Sequence, residues 1–121
     1  MYISVIDYGS GNLKSAAKAL EAAANNISLN STITVTSDPK IIKQSDKIVL
    51  PGQGSFRDCY LGIKKIPGLN ETLNEFVLEN KKPILGICVG MQLFAKNGYE
   101  SQKTQGFGWI NAEVRKINNM N

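Results

Sequence analysis

The stretch that most constrains this chain is Lys82-Pro83-Ile84-Leu85-Gly86-Ile87-Cys88-Val89-Gly90-Met91-Gln92-Leu93-Phe94. A short apolar run opened by proline reads as a buried strand. It ends at a cysteine set between Gly86 and Gly90, after which Met91, Leu93 and Phe94 fit a short, largely buried helix. Strand, sharp turn and helix with a nucleophile on the turn make the G-x-[nucleophile]-x-G elbow, here with sulfur in place of oxygen. The glycines are needed because a side chain two residues from the nucleophile would collide with the neighbouring strand or helix. A cysteine just ahead of a helix also faces oriented backbone N–H groups. Cys88 is therefore the expected reactive centre. The competing reading, a small buried hydrophobe, suits an isolated cysteine but leaves the flanking pattern unexplained.

The rest of the chain alternates strand and helix signals. Tyr2-Ile3-Ser4-Val5-Ile6-Asp7 is an alternating β-branched strand that runs into the turn Tyr8-Gly9-Ser10-Gly11-Asn12. Leu13, Ala16, Ala17, Leu20 and Ala24 recur at helical spacing. The Gly9-Ser10-Gly11 turn lacks the spacing of a dinucleotide fingerprint and the lysine of a P-loop, so it reads as a plain strand-to-helix turn. Thr32–Thr36 is a second strand, and Ser37-Asp38-Pro39 signals the start of a short helix through Ile41 and Ile42. Lys47–Leu50 is a third strand, stopped by Pro51-Gly52-Gln53-Gly54.

Helices are expected over Phe56–Lys65, with Cys59 as a packing residue, and over Leu73, Phe76, Val77 and Leu78, capped by Asn70. Beyond the elbow, Asn97–Gly106 reads as a polar loop and Gly108–Ile117 as a strand opening a second half. Strands alternating with helices predict an α/β fold of three layers, a mostly parallel sheet with helices on both faces. In such sheets ligands gather at the carboxyl ends of the strands, where Gly52, Gly54 and Cys88 would meet. The paired glycines around Gln53 would let a backbone N–H point into that cleft, as an oxyanion hole requires.

Composition narrows the function. The 121 residues are enough for one domain with one core. No apolar run is long enough to span a membrane and no secretory leader opens the chain, so a cytoplasmic protein with two reduced thiols is expected. The net charge of +4 comes from scattered lysines without a dense run or interleaved aromatics, which speaks against nucleic-acid binding. The absence of C-x-x-C speaks against thiol-redox chemistry. The sequence contains no histidine, the usual general base of a cysteine nucleophile.

Three segments, Ile6-Asp7-Tyr8-Gly9-Ser10-Gly11-Asn12-Leu13, Leu50-Pro51-Gly52-Gln53-Gly54-Ser55-Phe56 and Gly86–Phe94, together resemble class I glutamine amidotransferases. More narrowly they resemble the glutaminase subunits of imidazole glycerol phosphate synthases, as does Gly106-Phe107-Gly108-Trp109-Ile110. The likeness covers essentially the whole chain, as the N-terminal portion (1–121) of a single amidotransferase domain that is incomplete at its C-terminal side. It implies that Cys88 attacks the side-chain amide of glutamine and that the backbone N–H groups of Val89 and Gln53 hold the oxyanion. Gly52, Gly54 and Gln92 would cradle the substrate. It implies no metal or organic cofactor. It also implies a heterodimer with a (β/α)₈-barrel synthase subunit that receives the ammonia in histidine biosynthesis.

Two departures stand out. Gln53 occupies a position where the family most often has valine, and the family's catalytic histidine and acidic partner have no counterpart in these residues. The 121 residues alone are thus expected to lack glutaminase activity, and an incomplete sheet with exposed apolar edges is expected to associate. Two other readings stay open from the residues: a flavodoxin-like binding module, and a catalytically silent paralogue that regulates a partner.

Overall fold

The structure, a computed structural model, describes residues 1–117. Four strands form a parallel sheet in the order β2-β1-β3-β4: β1 (Tyr2–Ile6), β2 (Thr32–Thr36), β3 (Lys47–Gly52) and β4 (Ile84–Cys88). Side chains alternate across such a sheet, and this sets the three layers. Ile3, Val5 and Val49 face helix α1 (Leu13–Asn26) and meet Leu13, Ala16 and Leu20. Ile6, Ile48 and Leu50 point to the other face, beneath α2 (Pro39–Lys43), α3 (Phe56–Lys65) and α4 (Leu69–Asn74), where Phe56, Ile63, Leu73 and Phe76 fill the main core. The expected α/β three-layer fold is the fold observed.

Local signals account for most helix starts. Asn12, Asp38 and Ser55 each accept a backbone N–H from the first turn of α1, α2 and α3, and Pro39 occupies the first turn of α2. Asn70 does not cap α4, contrary to expectation. Gly68 occupies that position in the left-handed region (φ 79°), because the chain enters the helix by a sharp turn after Pro67, and Asn70 lies one residue inside. After Asn74 the helix widens into a π-helical turn, Glu75–Glu79, closed by the Asn80 N–H donating to the Glu75 carbonyl at 2.9 Å.

The expected polar loop over Asn97–Gly106 is instead two strands, β5 (Ala95–Tyr99) and β6 (Lys103–Gln105). With β7 (Ile110–Arg115) they form a second, three-stranded sheet in the order β6-β5-β7, antiparallel between β5 and β6 and parallel between β5 and β7. Gly98 lets β5 lie directly on Phe56, since a Cβ there would sit 2.6 Å from the ring. An aromatic seam joins this sheet to the helices. Phe107 and Trp109 stack with centroids 4.2 Å apart, Phe94 packs beside Trp109, and the Trp109 indole N–H donates to Asn74 Oδ1 at 2.8 Å. Among the described residues, no helix is long and apolar enough to cross a membrane.

Candidate active site

The carboxyl ends of β3 and β4 lie side by side, with Gly52 paired to Cys88 in register. Cys88 ends β4 at φ 54°, ψ −123°, a region costly for any residue with a Cβ. Sterics impose it. A Cβ on Gly86 would lie 2.7 Å from the Met91 nitrogen and from the Phe94 ring, and one on Gly90 would land on the Leu50 carbonyl oxygen. The chain therefore reverses on the cysteine itself and enters α5 (Val89–Gln92), a single turn shorter than the sequence led us to expect. Val89 is the first residue of that turn, so its N–H has no partner inside the helix. Cys88 is exposed.

The opposite wall is the turn after β3, and it is held by hydrogen bonds. Ser10 Oγ accepts the Gln53 N–H at 2.9 Å and lies 2.8 Å from the Gln53 carbonyl, to which its hydroxyl donates. The Cys59 thiol also donates to that carbonyl, at 3.4 Å, and lies 3.3 Å from Ser10 Oγ. Two residues earlier the Tyr8 hydroxyl donates to the Pro51 carbonyl. Burial pushes the Tyr8 phenol well above its usual range, with adjacent Cys59 adding to the shift. Gly54 is left-handed (φ 96°), and a Cβ on Gly52 would press on the Tyr8 hydroxyl at 2.8 Å. Just beyond, Glu100 Oε1 accepts the Phe56 N–H at 3.0 Å, anchoring the start of α3 from the small sheet.

A cleft of about 550 Å³ opens between these walls, lined by Gly52, Gln53, Gly54, Cys88 and Val89 together with Ser15 and Ala16 of α1. Five of the six residues singled out in the sequence thus share one cleft. Gln92 does not line it. It faces a separate hollow with Tyr99, Glu100, Val114 and Arg115. Tyr8, Ser10 and Cys59, which fix the wall opposite the cysteine, were not among the residues read as functional. Among the described residues, no group of three or more His, Cys, Asp or Glu side chains is placed to hold a metal ion. A thiol on a strained turn, facing a peptide flanked by glycines across a cleft, suits attack on a carbonyl carbon whose oxygen is met by backbone N–H groups. The Gln53 N–H, expected to point into the cleft, is instead taken up by Ser10 Oγ, because that hydroxyl lies within hydrogen-bond reach of both ends of the residue.

Comparison with known proteins agrees with this geometry. The family model for class-I glutamine amidotransferases matches residues 4–118. The imidazole glycerol phosphate synthase subunit HisH of Pelagibacter ubique is 50% identical over 121 residues, covering all of this chain and 57% of the relative. The protein of the same name from Brucella suis is 47% identical over 117 residues, covering 97% of this chain and 54% of the relative. The chain therefore spans a little over half the length of these curated relatives. A solved structure, a crystal structure of a glutamine amidotransferase, superposes with a TM-score of 0.66 at 16% identity over 93% of this chain and 55% of that one, a likeness of fold. By family match, relatives and fold together, the chain belongs to the class I glutamine amidotransferases.

Proposed function

We propose that this chain carries the nucleophile of a glutaminase that serves an imidazole glycerol phosphate synthase in histidine biosynthesis. The observation that carries the reading is the strained Cys88 turn facing the Gly52–Gly54 peptide across one cleft. Cys88 Sγ would attack the carbon of the glutamine side-chain amide. The carbonyl oxygen takes up the electron pair and is met by the Val89 N–H and, once released from Ser10, the Gln53 N–H. Collapse of this intermediate breaks the C–N bond, and the nitrogen leaves as ammonia after gaining a proton. Water then attacks the thioester, giving glutamate and restoring the thiol. The ammonia would pass to a (β/α)₈-barrel synthase subunit in a cytoplasmic heterodimer. Gly52 and Gly54 would cradle the substrate from the cleft, and Gln92 would contribute from its neighbouring hollow.

Deprotonating the thiol and protonating the leaving nitrogen call for a base that these residues lack, there being no histidine. The 121 residues by themselves are therefore proposed to release no ammonia. The same fact favours a second reading, a silent module that binds without turnover. A chloroketone analogue of glutamine separates the two. Under the first reading it alkylates Cys88 in preference to Cys59, glutamine slows the labelling, and intact-mass spectrometry finds one adduct that is lost in Cys88→Ala. Labelling indifferent to glutamine would overturn the glutaminase reading.

A further inference from the structure

Strand β2 lies at the rim of the parallel sheet, and among the described residues it pairs only with β1. The Thr32 N–H donates to the Met1 carbonyl and the Asp7 N–H to the Thr36 carbonyl, so the peptide groups of Thr32, Thr34 and Thr36 face β1. Those of Ile33 and Val35 point outward. The pairing with β1 keeps an unbroken register from Tyr2 with Thr32 to Ile6 with Thr36, so no bulge turns this edge away. Nor does charge guard it, since no residue from Asn26 to Ser37 carries one. On the α1 face Val35 is 41% exposed beside the half-buried Ile33.

The sequence of the edge names its partner. Thr32-Ile33-Thr34-Val35-Thr36 reads almost alike in both directions about Thr34. An antiparallel neighbour must set outward-facing residues against outward-facing ones. A second β2 meets that condition with Ile33 opposite Val35 and Val35 opposite Ile33, each pair exchanging both N–H···O bonds. The two-fold axis then passes between two Thr34 residues, a self-complementary contact of the kind a symmetric dimer uses. Ile33 of one copy covers the exposed Val35 of the other, and on the opposite face threonine meets threonine, both favoured cross-strand pairs.

Charge agrees with this pairing. Ser15 and Ala16 of α1 line the Cys88 cleft on the β4 side, so helical spacing sets Lys14, Lys18 and Glu21 on the flank towards β2. The same axis sets α1 antiparallel to its copy. It therefore brings Lys14 and Lys18, in the first half of one helix, towards Glu21 in the second half of the other.

We propose that β2 is a self-docking edge, at which two copies of this chain pair antiparallel about Thr34 and continue one sheet across both, with the two α1 helices on the same side. The contact lies at the opposite edge of the sheet from β4, leaves the Cys88 cleft open, and does not rest on the glutaminase reading.

The test combines light scattering over a dilution series with disulfide trapping in a Cys88→Ser background, which removes the exposed native thiol. The unsubstituted chain should form a dimer that dissociates on dilution. Val35→Pro removes an outward N–H and spares the bonds to β1, and it should raise the dissociation constant at least roughly tenfold, as should Val35→Lys. Leu85→Asp, exposed on the far edge, should leave the constant unchanged. Under oxidised glutathione, Thr34→Cys should crosslink to its own copy at least roughly tenfold faster than Thr32→Cys or Thr36→Cys alone, while a mixture of those two crosslinks as fast as Thr34→Cys. A monomer at every concentration, a dimer that Leu85→Asp abolishes, a dimer indifferent to both Val35 variants, or Thr34→Cys crosslinking no faster than Thr32→Cys would each overturn the proposal.

Discussion

Two turns meet at the Cys88 cleft and are held by opposite means. The β4 elbow is shaped by exclusion: Gly86 and Gly90 sit where any Cβ would strike backbone, and the chain has no other way to turn. The β3 turn is shaped by attraction, through Tyr8 on the Pro51 carbonyl and Ser10 and Cys59 on Gln53. Steric exclusion gives a turn one conformation. Hydrogen bonds give it one that can be exchanged, because a peptide flanked by Gly52 and Gly54 can rotate once its partner lets go. The proposed nucleophile is thus on the rigid wall together with one proposed oxyanion donor, Val89, and the other proposed donor, Gln53, is on the wall that can change.

Breaking the rigid wall should have the largest effect. Gly90→Ala drives a methyl group into the Leu50 carbonyl and should destabilise the fold by about 3 kcal/mol or more, seen as a large fall in the thermal midpoint. On the other wall, Tyr8→Phe leaves the buried Pro51 carbonyl without its donor and should cost about 1–3 kcal/mol in chemical denaturation. It should also change the pH profile. Because the folded-state pKa of Tyr8 is raised, its contribution is complete below about pH 10 and is lost as the pH rises above that value, so wild type should weaken in this alkaline range and Tyr8→Phe should do so less. Tyr60, raised in the same direction by burial, keeps the residual slope from vanishing.

Ser10→Ala sharpens the contrast at smaller magnitude. It should cost about 1 kcal/mol and accelerate amide exchange at Gln53, while amides of the elbow keep their rates. An elbow that loosened with it would mean that the two walls are one unit. The smallest expected effect is a gain. Cys88→Gly should raise stability by up to about 1 kcal/mol, since glycine accepts a φ of 54° without strain, less its own entropic cost. A loss of stability there would show that the sulfur packs more than it strains.

The contrast also explains what was legible in the sequence. Exclusion leaves a local signature, two glycines flanking a cysteine between a strand and a helix, and the turn was legible from it, although Leu85, Ile87 and Met91 are exposed where a buried strand and helix were expected. The parallel strands were equally plain from their β-branched runs. Attraction leaves none, since Tyr8 and Ser10 find their partners 43 positions away and Ser10 meets Cys59 at 49. Strands β5 and β6 were missed because the buried residues of β5 are small, Ala95 and the Gly98 that lies on Phe56, while Lys96, Lys103 and Gln105 face solvent. No alternation of apolar and polar survives such a pattern. Gln92 was placed by its resemblance to a family position, and only the direction of α5 could show that it opens on a different hollow.

The aromatic seam gives the molecule an optical property. The chain has a single tryptophan, and it sits where the small sheet meets the helices, stacked on Phe107 and hydrogen-bonded to Asn74. Its emission therefore comes from one boundary and from nowhere else. When the small sheet lifts, the indole loses its stacked neighbour and its acceptor together and enters water, and the spectrum shifts to the red. Far-ultraviolet dichroism follows the helices at the same time. A red shift that precedes the dichroic change on heating would show the two sheets parting before either melts, an order of events that this one indole makes visible without a label.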